Sequence, residues 1–286
     1  MKTAIATVIT DDFVDGGRVL LSSLREQHPE TDYDVIVFYH NEVAPLSEES
    51  MQQLHKVEPS AEFRHVDVGP YERLFEQRDK VLNTPARLIA AFVILEAFRL
   101  SEYARVICLD SDMLIVGRLD ELFSCENEFA AVTAVDEVSG ELRQYFNTGV
   151  MVIGSAHLTG STFDDLTQRT MMTSVDRERG KADQAVLNRY FETRDHRRLD
   201  QKFNITKRMV PDNSGDIFEQ LNAQDARILH FVGAKPWTVN WSPRDWGYES
   251  AEALWLSHYF ALEGSETARD YFASRRQAIT NEAPNQ

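Results

Sequence analysis

Residues 105–116 run Arg105-Val106-Ile107-Cys108-Leu109-Asp110-Ser111-Asp112-Met113-Leu114-Ile115-Val116. An apolar stretch meets two carboxylates and then resumes. In an extended chain the side chains at i and i+2 project to one side, so Asp110 and Asp112 aim at a common point. Two negative charges at the end of a buried strand are costly unless something positive sits between them, and a divalent cation meets that need. Open α/β sheets place their ligands at the carboxyl ends of the strands, which is where this pair falls. The plainer alternative is a solvated strand end whose acids are exposed or cap a helix.

The segments around this stretch alternate. Ala4–Ile9 reads as a short buried strand, and Gly16–Gln27 as a helix with Val19, Leu20, Leu21 and Leu24 on its apolar side. Val35–Tyr39 reads as a second strand, Glu48–Val57 as a helix and Glu62–Val66 as a third strand. Pro85 opens a helix over 86–100 that leads into the strand Val106–Leu109. Strands alternating with helices predict βαβ units and a mostly parallel sheet, an α/β fold. Strand-like segments recur at 130–135, 150–153 and 227–229, with helices around 162–174, 182–191 and 249–262. No Pro/Gly/Ser-rich linker and no internal repeat divides the chain. The expectation is one domain over 1–264, followed by a helix end and polar tail at 265–286.

The 286 residues carry 30 Lys+Arg against 46 Asp+Glu, a formal net charge of −16. That balance argues against nucleic acid or anionic membrane as the main partner. An anionic substrate would then need a locally positive site or a metal. No apolar run approaches the roughly 20 residues that span a bilayer. The opening residues 1–10 read as the first core strand rather than a signal peptide, because Asp11-Asp12 cuts a brief apolar run short. Two cysteines, Cys108 and Cys125, give no disulfide framework and fit a reducing cytoplasm.

Four further segments carry chemistry. Thr10-Asp11-Asp12-Phe13 follows the first strand, where α/β sheets often hold a nucleotide, yet no Gly-rich phosphate loop is present. A carboxylate there can accept hydrogen bonds from a base and Phe13 offers a stacking face, unless Asp11 or Asp12 simply caps a helix. Phe146-Asn147-Thr148-Gly149 places neutral donors and acceptors suited to sugar hydroxyls at the mouth of a strand, and Gly149 permits close backbone approach. Ala182-Asp183-Gln184 opens a helix, where Asp183 either caps it or faces a substrate. His230-Phe231-Val232-Gly233-Ala234-Lys235-Pro236-Trp237 can supply an imidazole ligand, a backbone N–H and an ammonium to a metal-bound diphosphate. Two Asp oxygens and one His nitrogen suit Mn²⁺ or Mg²⁺ better than a closed zinc site.

In this order the segments resemble glycosyltransferase family 8, the family of glycogenin, galactinol synthase and bacterial lipopolysaccharide galactosyl- and glucosyltransferases. The likeness covers roughly residues 3–240. It implies a GT-A fold with a nucleotide-binding half near 1–115 and an acceptor half near 116–264. It also implies a UDP-sugar donor, Mn²⁺ dependence, retention of anomeric configuration and a glycan or small hydroxyl acceptor, and it leaves a homodimer open. Carried over residue by residue, Asp110, Asp112 and His230 would bind the metal, with Asp110 and Ser111 beside the donor. Thr10, Asp11 and Phe13 would hold the uridine, Phe13 standing where the family often has a stacking Tyr. Asn147, Thr148 and Gly149 would lie along the donor sugar, Asp183 and Gln184 beside its anomeric carbon, and Gly233 and Lys235 on the diphosphate.

Two departures stand out. The family often has a basic residue sixteen positions before the first metal Asp, and here that position is Ile94; Arg87, two α-helical turns earlier, would replace it. The His-to-Lys spacing is one shorter than in glycogenin, a difference that Gly233 can absorb. Two other readings compete. A nucleotide-sugar-binding protein without transfer activity is motivated by Ile94. A haloacid-dehalogenase-type phosphatase also carries Asp-x-Asp after an apolar strand, but normally near the start of the chain. Tyr190 and Tyr248 are candidates for self-glucosylation by position alone.

Overall fold

The computed structural model describes residues 2–72, 75, 86–136, 140–169, 180–238 and 247–264. Two units interleave along the chain: the first takes 1–14, 30–111 and 119–200, the second 15–29, 112–118 and 201–286.

The first unit holds a seven-stranded sheet. Its strands are β1 (Thr3–Val8), β2 (Tyr33–Tyr39), β3 (Glu62–His65), β4 (Arg105–Leu109), β6 (Phe129–Val135), β7 (Leu142–Gly154) and β8 (Arg197–Leu199), in the order β3-β2-β1-β4-β7-β6-β8. Pairings β1–β2, β1–β4, β2–β3 and β6–β8 are parallel, while β7 runs antiparallel to both β4 and β6. The sheet is mostly parallel, as the strand–helix alternation predicts. Ile5 lies opposite Val35 on one side and Ile107 on the other, and all three are fully buried. Near-continuous apolar runs such as Val-Ile-Val-Phe in β2 have this cause: helices cover both faces of a parallel sheet. One such cover is the helix Ala86–Arg99, whose Phe92, Val93, Leu95 and Phe98 pack with Ala6, Val106 and Met151 in one core. Truncating either buried phenylalanine to alanine would cost about 3–5 kcal/mol.

Strand β7 is longer than the segment 150–153 expected from sequence, and its ladder is broken where it matters. Ala131 of β6 faces Met151, but Thr133 faces Phe146, so two steps on β6 match five on β7. The surplus residues include Asn147, Thr148 and Gly149. A bulge of this kind re-aims side chains out of the regular ladder.

The second unit contains the helix Val14–Gln27 from Asp15 onward and a three-stranded sheet. Its strands are β5 (Met113–Ile115), β9 (Ile205–Thr206) and β10 (Ile228–His230), in the order β5-β10-β9. β10 runs antiparallel to β5 and parallel to β9. Leu114, Ile205, Leu229, Phe231, Leu254 and Trp255 form its core, with Val19 of the first helix. The hydroxyl of Ser23 from that helix accepts the Ile115 N–H at 3.0 Å. The helix Glu249–Leu262 has the bounds expected from sequence.

The expected helix at 162–174 is only a short piece, Gly160–Asp164, followed by a π-helical turn at Asp165–Arg169; the remainder of that expectation lies outside the described residues. The polar tail 265–286, Trp241 and Trp246 also lie outside them. No described helix is long and apolar enough to cross a membrane.

Candidate functional site

The decisive stretch does not continue as one strand. The chain leaves β4 after Leu109, turns through Asp110, Ser111 and Asp112, and re-enters regular structure as β5 in the other sheet. The extended i, i+2 geometry expected for the two acids is replaced by a turn. The unit boundary falls between Ser111 and Asp112, so the site residues divide into two sets.

In the first unit Asp110 is exposed, and its N–H donates to the Gly149 carbonyl at 2.9 Å. That bond extends the β4–β7 pairing by one step and ties Asp110 to the bulged segment. The Asn147 side chain accepts the Gly149 N–H on Oδ1 at 2.8 Å and donates from Nδ2 to Gln184 Oε1 at 3.1 Å. The Thr148 hydroxyl bonds the Asp183 carboxylate. Asn147 and Thr148 therefore engage Gln184 and Asp183, each orienting one partner.

Asp183 is buried in the first turn of the helix Ala182–Tyr190. Burial, then the charge of Asp110, pushes its carboxyl up to about 7 against hydrogen bonds from Thr148 and the backbone. The chain enters this helix under strain. Ala182 has φ +49°, a left-handed conformation that costs a non-glycine residue about 1–2 kcal/mol. Gly180 (φ +93°) leaves no room for a side chain, since a Cβ there would come within 2.2 Å of Gln184 Nε2. The buried Asn188 accepts the Phe146 N–H at 2.9 Å and donates to the Phe146 and Gln184 carbonyls, both at 2.8 Å. It locks the helix onto β7.

Thr10, Asp11 and Phe13 stand at the end of β1, where Phe13 N–H donates to Thr10 O at 2.8 Å. Asp11 does not cap its own turn. Its Oδ1 accepts the Ser47 N–H, the Ser47 hydroxyl and the Ser50 hydroxyl at 2.7–2.9 Å, pinning the loop to the start of the helix Glu48–Val57. Burial is the largest single effect and opposes ionisation, but the three bonds together outweigh it and hold the carboxyl below its ordinary value.

Arg87 lies at the start of the helix Ala86–Arg99, and its side chain is outside the described residues. This helix is wound as 3₁₀. Ile94 itself is buried.

In the second unit Asp112, His230 and Lys235 meet. His230 ends β10, and Phe231 N–H donates to the Asp112 carbonyl at 2.9 Å, which fixes the two segments together. His230 Nε2 lies 3.1 Å from Asp112 Oδ1, and Lys235 Nζ bonds Asp112 Oδ2 and, at 2.8 Å, the Phe231 carbonyl. Burial pushes the Asp112 carboxyl up, but the Lys235 ammonium and the His230 ring hold it well below the carboxylate range. The other imidazole nitrogen, Nδ1, is 2.8 Å from Asn204 Oδ1. An amide oxygen only accepts, so Nδ1 donates to Asn204, and Nε2 is left directed at Asp112 Oδ1, with which it shares a hydrogen bond. Gly233 adopts φ +82° in the turn between His230 and Lys235, a conformation that favours glycine.

The candidate metal ligands are the carboxylates of Asp110 in the first unit and of Asp112 in the second, with the His230 imidazole beside Asp112. Two hard carboxylate oxygens and one imidazole nitrogen fit Mn²⁺ or Mg²⁺. Sequence reasoning missed Asn204, which lies in no recognisable spacing, and the clamp by Asn188, although that residue stands one turn after Gln184 on the same helix. Trp255 is fully buried between Trp237 and Tyr259. Tyr190 is buried beneath the Arg194 guanidinium, 3.8 Å from its ring centroid.

Comparison with known proteins places the chain among glycosyltransferases. Glycosyltransferase GlyB of Streptococcus pneumoniae is 31% identical over 144 residues, 48% of this chain and 35% of that protein. Glycogenin of Neurospora crassa is 25% identical over 238 residues, 80% of this chain and 30% of that one. Human glycogenin-2 is 27% identical over 251 residues, 84% of this chain and 44% of its own length. The chain thus spans between 30% and 44% of the length of these relatives. Among solved structures, the galactosyltransferase LgtC in complex with donor and acceptor sugar analogs superposes with a TM-score of 0.58 at 19% identity, covering 93% of this chain and 99% of that one. The fold is that of the GT-A glycosyltransferases. The model described as "Glycosyl transferase family 8" matches residues 4–240, from β1 past the His230–Trp237 loop, and the chain belongs to that family.

Proposed function

We propose that this chain is a retaining, metal-dependent glycosyltransferase that moves a hexose from UDP-glucose or UDP-galactose to a hydroxyl of a glycan or small acceptor. Residues 1–264 act as one catalytic domain in this reading. The observation that carries it is the meeting of Asp112, His230 and Lys235 two residues after Asp110. Acids and imidazole set for a divalent ion, with an ammonium against them, are what a nucleotide diphosphate requires of an otherwise strongly acidic chain. Free, buried Cys108 and Cys125 support a reducing, cytoplasmic setting.

Asp110, Asp112 and His230 would hold Mn²⁺ or Mg²⁺, and a bound ion would supply Lewis-acid stabilisation of the diphosphate leaving group. Lys235 and the Gly233 turn bind the same phosphates. Thr10, Asp11 and Phe13 take the uridine; with Asp11 Oδ1 committed to Ser47 and Ser50, the base contact falls to Oδ2. Cleavage at the anomeric carbon develops positive charge on the sugar. Gln184, oriented by Asn147, and Asp183, oriented by Thr148, stand to stabilise that charge. The reading takes acceptor attack on the face the diphosphate leaves, with the departing phosphate as the acceptor's proton sink.

A thermal-shift panel of nucleotide-sugars with and without Mn²⁺ tests the proposal. A ligand at 100 times its Kd adds about 2.7 kcal/mol, so the right donor gives a clear metal-dependent rise in Tm. Absence of metal-dependent stabilisation by any nucleoside diphosphate overturns the reading. Metal-dependent UDP binding without hydrolysis or transfer assigns binding alone.

A further inference from the structure

Under the His230–Trp237 loop lies an ion pair with no place in the chemistry above. Lys207 is 0% exposed and Glu252 1%. Lys207 Nζ donates to Glu252 Oε1 at 2.7 Å and to the Ala234 carbonyl at 2.7 Å. Lys207 directly follows β9, and Glu252 sits in the first turn of the helix Glu249–Leu262. One turn further along that helix Trp255 packs on Trp237, with ring centroids 5.1 Å apart.

Stability does not account for such a pair. Desolvating two charges costs about what their attraction returns, and well-packed apolar residues of similar volume usually do as well or better. An apolar pair would nevertheless leave the Ala234 carbonyl without this donor. Ala234 lies between Gly233, whose φ is +82°, and Lys235, whose ammonium reaches Asp112. A shift there moves both. The same short segment also works on the other end of the loop, since Asn204 orients His230 and Thr206 pairs with it in the sheet.

We propose that Lys207, braced by Glu252, is a positioning residue for the donor: through the Ala234 carbonyl it sets the turn that presents Gly233 and Lys235 to the diphosphate. The inference rests on the glycosyltransferase reading for its ligand, and on geometry alone for the anchor.

The double variant Lys207→Met/Glu252→Leu separates positioning from folding, because it removes the charges together. It should keep the wild-type Tm or exceed it. In the presence of Mn²⁺ its affinity for UDP should fall about tenfold while its affinity for UMP, which lacks the outer phosphate, stays within twofold. Lys207→Arg, which keeps a donor in place, should recover part of the UDP affinity. Amide exchange over 232–238 should quicken in the double variant without ligand. Equal UDP affinity in variant and wild type, or equal losses for UDP and UMP, overturns the proposal. Wild-type protein that binds no UDP with Mn²⁺ overturns the functional reading, and amide exchange then judges the anchor: faster exchange sustains it and unchanged exchange removes it.

Discussion

Asp112 and Asp183 are both buried acids, and their surroundings drive them in opposite directions. Asp112 has an ammonium and an imidazole against it, whereas Asp183 has a hydroxyl, backbone N–H groups and the charge of Asp110. The sign of each contribution to stability follows. Asp112, depressed on folding, adds stability above about pH 4 that is lost as pH falls toward its folded value. Asp183, raised to about 7, binds its proton more tightly folded than unfolded, so its contribution is best below about pH 4 and declines as pH rises to 7. In EDTA, Asp183→Asn should therefore unfold at a higher temperature than wild type at pH 8 and close to wild type at pH 4. A Tm–pH profile checks this, and parallel profiles for the two proteins would refute it. Asp112→Asn should do the reverse. It leaves Lys235 and His230 facing a neutral amide, and removing one partner of a buried pair costs about 3–5 kcal/mol. It should also abolish Mn²⁺-dependent stabilisation and lower transfer by about 10²–10⁴-fold, equivalent to losing a few kcal/mol of transition-state stabilisation. Near-wild-type transfer at saturating Mn²⁺ would remove Asp112 from the metal site.

The helix Ala182–Tyr190 carries Asp183 and Gln184 and meets β7 through one side chain. Asn188 bonds both the N–H and the C=O of Phe146 at a point where the β6–β7 register shifts. Asn188→Leu matches the volume approximately but strands those groups, and each buried unsatisfied group costs about 1–3 kcal/mol. Loss of roughly 2–4 kcal/mol in urea unfolding is the expected outcome; a change under 0.5 kcal/mol, on the order of a neutral surface substitution, would show that the clamp is dispensable. This contact also marks the limit of what the sequence discloses. β1, β2 and β4 are legible because both of their faces are buried and composition follows directly, whereas β8, largely exposed, gives no such signal. Glu48–Val57 and Glu249–Leu262 are legible from periodicity, down to their ends. The break at Asp110–Asp112 is not, because Met113–Val116 is as apolar as Val106–Leu109 and only the partner strands, β7 and β10, tell the two apart. The metal candidates are legible because several weak segments recur in one order. The roles of Asn204 and Lys207 and the 3₁₀ winding of Ala86–Arg99 depend on tertiary contacts and hydrogen-bond geometry that no spacing records.

Across the whole molecule, net charge exerts a force that no single contact represents. A formal charge of −16 on 286 residues repels itself in the folded state. Opposing it are surface ion pairs such as Lys2–Asp34, Arg64–Glu62, Arg64–Glu102 and Arg189–Glu192, each worth about 0–1 kcal/mol. Salt screens both, since the Debye length shrinks from about 10 Å at 0.1 M to about 3 Å at 1 M. The balance is decided by range. The pairs act at 2.7–2.8 Å, inside any Debye length, while the excess acids repel over longer distances that screening removes first. The buried pairs Asp112–Lys235 and Lys207–Glu252 are shielded from salt in this argument. Raising NaCl from about 0.02 M to 0.5 M should therefore raise the Tm of the metal-free chain by several degrees, with sodium chloride preferred to sulfate so that solute exclusion does not add its own stabilisation. A second arm distinguishes screening from ion binding: choline chloride at equal ionic strength should give the same rise. A Tm that falls with either salt would mean that the surface pairs outweigh the net repulsion, and the acidity of this chain would then have to be explained by local fields at the donor site.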